Sequence, residues 1–154
     1  MSLVQAVRLM AESLDHAVVV TDGALNAPGP IVLYVNPAFE RMTGYAACEM
    51  VGQSPRILQG AGTSLAARKA LARSLRTLEP HETTLVNYRK SGEAYLCRIQ
   101  VYPVSDDSGR LINAIAIERE VERGPGRPRA ARFAPDGLAP VRTRAVEVSR
   151  KPSA

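Results

Sequence analysis

Residues 81–121 read HETTLVNYRKSGEAYLCRIQVYPVSDDSGRLINAIAIEREV. Apolar residues recur here with a period of two, the pattern of a half-buried strand, and the runs are broken by KSG at 90–92 and SDDSG at 105–109. Those breaks are turn chemistry: glycine accepts positive φ, and Asp and Ser side chains bond to their own backbone. The stretch predicts three successive antiparallel strands, Glu82–Arg89, Ala94–Val104 and Leu111–Val121.

Working towards the N-terminus, Ser64 to Leu78 reads as a helix capped by Thr63 or Ser64. Ala67, Leu71, Leu75 and Leu78 share one face, and the other carries Arg68, Lys69, Arg73 and Arg76. Residues 46–60 hold Pro55 between glycines, which permits only short helices. Asn36-Pro37 opens a short helix through Met42, because Asn caps well and Pro suits the first turn, and Gly44 ends it. Ala17–Thr21 and Ile31–Val35 are strand-like and joined by DGALNAPGP, a hairpin with a long loop. Leu3 to Leu14 is an amphipathic helix with Leu3, Val7, Met10 and Leu14 along one stripe. The order of elements predicts an α+β fold, a five-stranded antiparallel sheet with helices on one face.

The net charge of +5 suggests a nucleic-acid binder until it is located. Residues 1–121 carry twelve basic and twelve acidic side chains, so the excess lies in residues 122–154, with eight basic and three acidic. That tail contains GPGRPR, scattered prolines and one aromatic, Phe133, and is expected to be disordered. Nucleic acid is not expected as a partner, since solvated Arg-rich ends are common. The expected organisation is an N-terminal helix over 1–14, a domain over 15–121 and the tail over 122–154. No run of 18 apolar residues would span a bilayer, and the start lacks the pattern of a signal peptide, so a cytoplasmic location is expected. The two cysteines, Cys48 and Cys97, read as free thiols. No nucleophile–base signature, phosphate-binding glycine loop or metal-ligand cluster is visible, so no enzymatic activity is expected.

Four stretches in order, YVNPAFERMTGY (34–45), GQSPRILQG (52–60), NYRKSGEAYLCRIQVYPV (87–104) and INAIAIEREV (112–121), resemble the PAS superfamily and, within it, the flavin-binding light-oxygen-voltage (LOV) branch. The resemblance covers about Leu9 to Val121 and implies a pocket between the sheet and the short helices. It also implies an N-terminal helix that mediates dimerisation or passes a signal, and a homodimer or a signalling protein as partner.

The resemblance admits FMN as cofactor, and its site can be traced position by position. Pro55 stands where photoactive members carry the cysteine that bonds the flavin, and proline has no nucleophilic group, so no adduct can form there. Ser54 replaces a neighbouring asparagine. Arg56 and Gln59 match phosphate and ribityl contacts, and a guanidinium can hold a phosphate bidentately. The second phosphate arginine falls on Ala72; neighbouring Arg73 points about 100° round the helix and is not counted as its replacement. Asn87 matches one ring-edge asparagine, while the second falls on Cys97 and the glutamine that senses flavin N5 falls on Glu118.

Each assignment has a plainer counterpart. Arg56 and Gln59 are also suited to bracing their own loop. Gly44, Gly52 and Gly60 read as turn glycines. Cys97 reads as a small core residue more readily than as a redox switch. If the faces carrying Cys97 and Glu118 both point into the pocket, a thiol and a carboxyl share an apolar cavity and burial raises the carboxyl pKa; otherwise Glu118 reaches solvent or pairs with an arginine.

Three contacts kept against five changed favour a PAS sensor of a small ligand, or a dimerisation module, without a cysteinyl-flavin photocycle. The alternatives are an FMN-binding light or redox sensor working through flavin reduction, and an interaction protein whose pocket is filled by its own side chains.

Overall fold

A computed structural model describes residues 1–123. The expected disorder of the basic tail falls, but for Glu122 and Arg123, outside the described residues. The chain forms α1 (Leu3–Ala11), β1 (Ala17–Asp22), β2 (Val32–Val35), α2 (Pro37–Thr43), α3 (Ala47–Met50), a 3-10 turn (Pro55–Leu58), α4 (Leu65–Arg76), β3 (His81–Tyr88), β4 (Ala94–Ser105) and β5 (Leu111–Glu120). The five strands form one antiparallel sheet in the order β2-β1-β5-β4-β3.

The period-two pattern becomes two chemically distinct sheet faces. Tyr95, Cys97, Ile99 and Val101 are buried on one face of β4, whereas Arg98 and Tyr102 are exposed on the other. On β1, Ala17 and Val19 pack with Val32, Val35, Phe39, Met50 and Leu58 in one cluster. Leu75 of α4 joins Leu85, Ile99, Val101 and Ala114 in a second. These clusters seat α2, α3 and α4 on the inner face.

The helix α1 departs from the expected pattern. It ends at Ala11, and its packed side is Val4, Val7 and Ala11 against Val18, Val20 and Tyr34. Val18 and Val20 alternate with Ala17 and Val19, so α1 lies on the sheet face opposite the other helices. Met10 and Leu14, expected on the packed stripe, are exposed. Arg8 stacks over the Tyr34 ring, 5.4 Å from its centre, and the Tyr34 hydroxyl donates to Glu12 Oε2 at 3.0 Å. Burial, reinforced by Glu12, pushes the Tyr34 phenol up to about 12.

Asn36 does more than cap α2. Its Oδ1 accepts from Phe39 N at 3.1 Å and from Val18 N at 2.8 Å, while Nδ2 donates to the carbonyls of Ala11 at 3.0 Å and His16 at 2.9 Å. One buried amide thus joins α1, β1 and α2. The α4 apolar stripe stops before Leu78, whose left-handed φ of 59° lies beyond the Thr77 cap.

Candidate functional site

Between the inner sheet face and α4 lies a cavity of about 930 Å³, near the upper end of the range for small-ligand sites. Its floor is apolar: Val19 from β1, Leu85 from β3, Ile99 and Val101 from β4, Ala114 and Ala116 from β5. Three polar side chains enter that floor, Thr21, Asn87 and Glu118. Its other wall is built from Leu25 and Pro30 of the β1–β2 loop, the Pro55–Gln59 turn and α4.

Arg56, Gln59, Asn87 and Glu118 all line this cavity. Arg56 also braces its surroundings, its Nη2 donating to the Leu25 carbonyl at 2.9 Å. Ser54 is not among the lining residues; its hydroxyl accepts from Arg56 N at 3.3 Å and caps the 3-10 turn. Pro55 occupies the first position of that turn and lines the cavity, as does Ala72. Cys97 stands behind the wall rather than in it.

The Cys97 thiol donates to Glu118 Oε2 at 3.7 Å, with Cys97 fully buried and Glu118 6% exposed. Glu118 is buried from solvent, and none of the ion pairs found among the described residues involves it. Burial pushes its carboxyl up to about 7, the thiol contact pulling the other way. Burial also drives the Cys97 thiol far up, and the neighbouring Glu118 charge adds to that. Cys97 is therefore a protonated donor, not a thiolate nucleophile. Cys48, the other cysteine, is exposed on α3 and is not part of the cavity wall.

The periodicity of α4 sets its cations on the face other than its apolar stripe. Arg68, Lys69, Arg73 and Arg76 line the cavity and, with Arg56, form an exposed rim around it. Helical spacing alone does not show this, because it places these side chains relative to α4 and not relative to the sheet beneath it. The loop before α4 is fixed by Thr63, whose hydroxyl donates to the Val86 carbonyl at 2.6 Å and accepts from Gly60 N at 2.9 Å. Beside it, a Cβ on Gly60 would lie 2.5 Å from the Tyr88 ring, so that glycine serves close packing.

A fold with a cavity between a five-stranded sheet and short helices matches known proteins over most of this chain. Residues 15–123 match the PAS domain family. The chain is a PAS domain. Over 94 residues, 61% of this chain, it is 36% identical to a blue-light-activated histidine kinase of Brucella canis. Over 112 residues, 73% of the chain, it is 31% identical to a nitrogen fixation regulatory protein of Klebsiella oxytoca. The PAS domain spans about a fifth of those relatives, 19% and 22% of their lengths. Its fold resembles the LOV domain of a blue-light-activated histidine kinase from Erythrobacter litoralis, with a TM-score of 0.64 and 31% identity over 71% of this chain and 99% of that one. Among the described residues no helix is long and apolar enough to cross a membrane.

Proposed function

We propose that this PAS domain is a sensory signal-transduction module that holds a small ligand in the cavity and passes the ligand's state to a partner without forming a cysteinyl-flavin adduct. One observation carries the reading: an apolar cavity of about 930 Å³ is open to a ligand, and neither cysteine lines it. A pocket filled by the chain's own side chains would leave no such volume. The signal path runs through Asn36, which ties the start of β1 to the end of α1 and the start of α2. A shift of β1 under a ligand therefore moves α1, the element that meets a second copy or a signalling partner, and ligand binding biases that equilibrium. The site of action is the cytoplasm.

A second reading names the ligand as FMN, and it is favoured by Arg56, Gln59 and Asn87 lining one cavity. The donor set fits: Arg56 would hold the phosphate, Gln59 the sugar chain and Asn87 the ring edge. FMN would supply a ring that takes up electrons. Glu118, a buried carboxyl at the same wall, holds a proton near neutral pH that it can lend to or take from a polar ligand atom.

Loading the protein with FMN and illuminating it with blue light tests the proposal. Retention of oxidised FMN in the light, with bleaching only when an external electron donor is added, is the expected result. A flavin-linked peptide recovered by mass spectrometry after digestion would contradict it.

A further inference from the structure

Charge is spread unevenly over the surface of this PAS domain. Residues 1–121 carry twelve basic and twelve acidic side chains, yet five of the twelve cations, Arg56, Arg68, Lys69, Arg73 and Arg76, are exposed around the cavity mouth. The one carboxyl among the lining residues, Glu118, is buried in the floor. Arg89, Lys90, Arg98 and Arg110 each meet a carboxylate, whereas none of the five mouth cations is in such a pair among the described residues.

Along α4 the spacing sets the cations in a ridge. Leu65, Lys69, Arg73 and Arg76 stand at i, i+4, i+8 and i+11, all exposed, on one face about 16 Å long, and the helix contains no acid. Leu65 lines the mouth and is 48% exposed; Ile57, beside Arg56 in the 3-10 turn, is 41% exposed. Large aliphatic side chains among unpaired cations suit a surface of anionic headgroups, since the surface potential draws the cations and the interface takes up the aliphatic groups. A nucleic-acid strand fits less well, because single strands are held by bases stacked on aromatic rings, and no aromatic residue lines the cavity.

We propose that the cavity mouth is a docking surface for an anionic membrane, with Lys69, Arg73 and Arg76 against the headgroups and Leu65 and Ile57 dipping between them. The inference does not depend on which ligand fills the cavity. Docked in this way, the domain turns its mouth to the bilayer, while α1, which packs on the opposite sheet face against Val18, Val20 and Tyr34, stays clear of it.

Sedimentation of the full chain with vesicles tests this, using phosphatidylcholine alone and an equal mixture of phosphatidylcholine and phosphatidylglycerol. Binding to the mixed vesicles only, weakening with added salt, is the expected result. K69Q/R73Q is expected to bind about 25-fold more weakly, the factor for two cations at an anionic surface. Leu65→Gln is expected to weaken binding several-fold with an unchanged salt dependence, since it removes apolar contact and no charge. R98Q/R119Q removes the same charge from the opposite sheet face, where Arg98 and Arg119 are exposed partners on β4 and β5, and is expected to bind like the wild type. All of these changes are at exposed positions, and circular dichroism verifies that each variant folds. Equal binding by K69Q/R73Q and the wild type would assign the attraction to residues 122–154 and overturn the inference. Equal losses in K69Q/R73Q and R98Q/R119Q would report net charge alone and overturn it as well. So would no binding to the mixed vesicles, whether or not an RNA oligonucleotide binds in their place.

Discussion

The Glu118 carboxyl and the Cys97 thiol face each other 3.7 Å apart on adjacent strands, both buried. Burial disfavours the carboxylate, so the folded state prefers it protonated, at about 7 against an ordinary 4.5. Its folded pKa is raised, so the native state binds more protons than the unfolded chain between those values, and stability falls as pH rises through that window. Below 4.5 there is no penalty, and above 7 it is complete at about 3 kcal/mol. Urea unfolding at pH 5 and pH 8 is expected to show this loss, and Glu118→Gln to remove most of it. A stability that is flat across the window in the wild type would place Glu118 in a solvated or paired state.

Asn36 makes four hydrogen bonds from a fully buried position, two through Oδ1 and two through Nδ2. Asn36→Ala orphans Val18 N and two carbonyls, and is expected to cost about 3 kcal/mol or more. Asn36→Asp keeps the acceptor and loses both donations, so it is expected to loosen α1 more than α2. Hydrogen exchange of α1 amides reads that difference. Equal protection of both helices in Asn36→Asp would remove Asn36 from the signal path.

Much of the fold was legible because β4 alternates between its two faces and the turns on either side of it carry their own chemistry. The 81–121 stretch yields three strands within one residue of their observed ends, because KSG and SDDSG leave no other place to turn. The face of α1 was not legible: Leu3, Val7 and Met10 and the alternative Val4, Val7 and Ala11 are both apolar stripes, and only contact with Val18, Val20 and Tyr34 selects the second. The cavity-lining residues Arg56, Gln59, Asn87 and Glu118 were picked out through the resemblance to the LOV branch, position by position. The bonds of Asn36 to Ala11, His16 and Val18 were not, since no local pattern encodes a link across 18 to 25 residues. The rim was hidden for a related reason, as helical period places Arg68 and Arg76 relative to α4 but not relative to the sheet beneath it.

Gly60 packs against the Tyr88 ring, where a Cβ would approach to 2.5 Å. Gly60→Ala is expected to destabilise by about 1–3 kcal/mol through overpacking. Tyr88→Leu in the same chain makes room but gives up the bond that the Tyr88 hydroxyl accepts from Gly62 N at 2.8 Å. The double variant is therefore expected to recover only part of the loss in thermal unfolding. Full stability in the single variant would show that the loop before α4 yields without cost.

Leu9 and Met10 are exposed on α1, away from its packed side. Leu9→Glu with Met10→Glu is expected to leave stability within about 0.5 kcal/mol, as for other surface changes. If α1 carries the dimer or partner contact, light scattering is expected to report a lower mass for this variant than for the wild type. An unchanged mass would move the contact elsewhere.

Whether a small molecule occupies the cavity is tested most directly by native mass spectrometry of the freshly purified protein, alongside Ala116→Trp, which fills the same space. The expected result is a stoichiometric mass excess of one small molecule in the wild type, released on denaturation and missing from the variant. A folded wild-type protein at its bare chain mass, which also takes up no flavin or nucleotide on incubation, would contradict the ligand-sensor account.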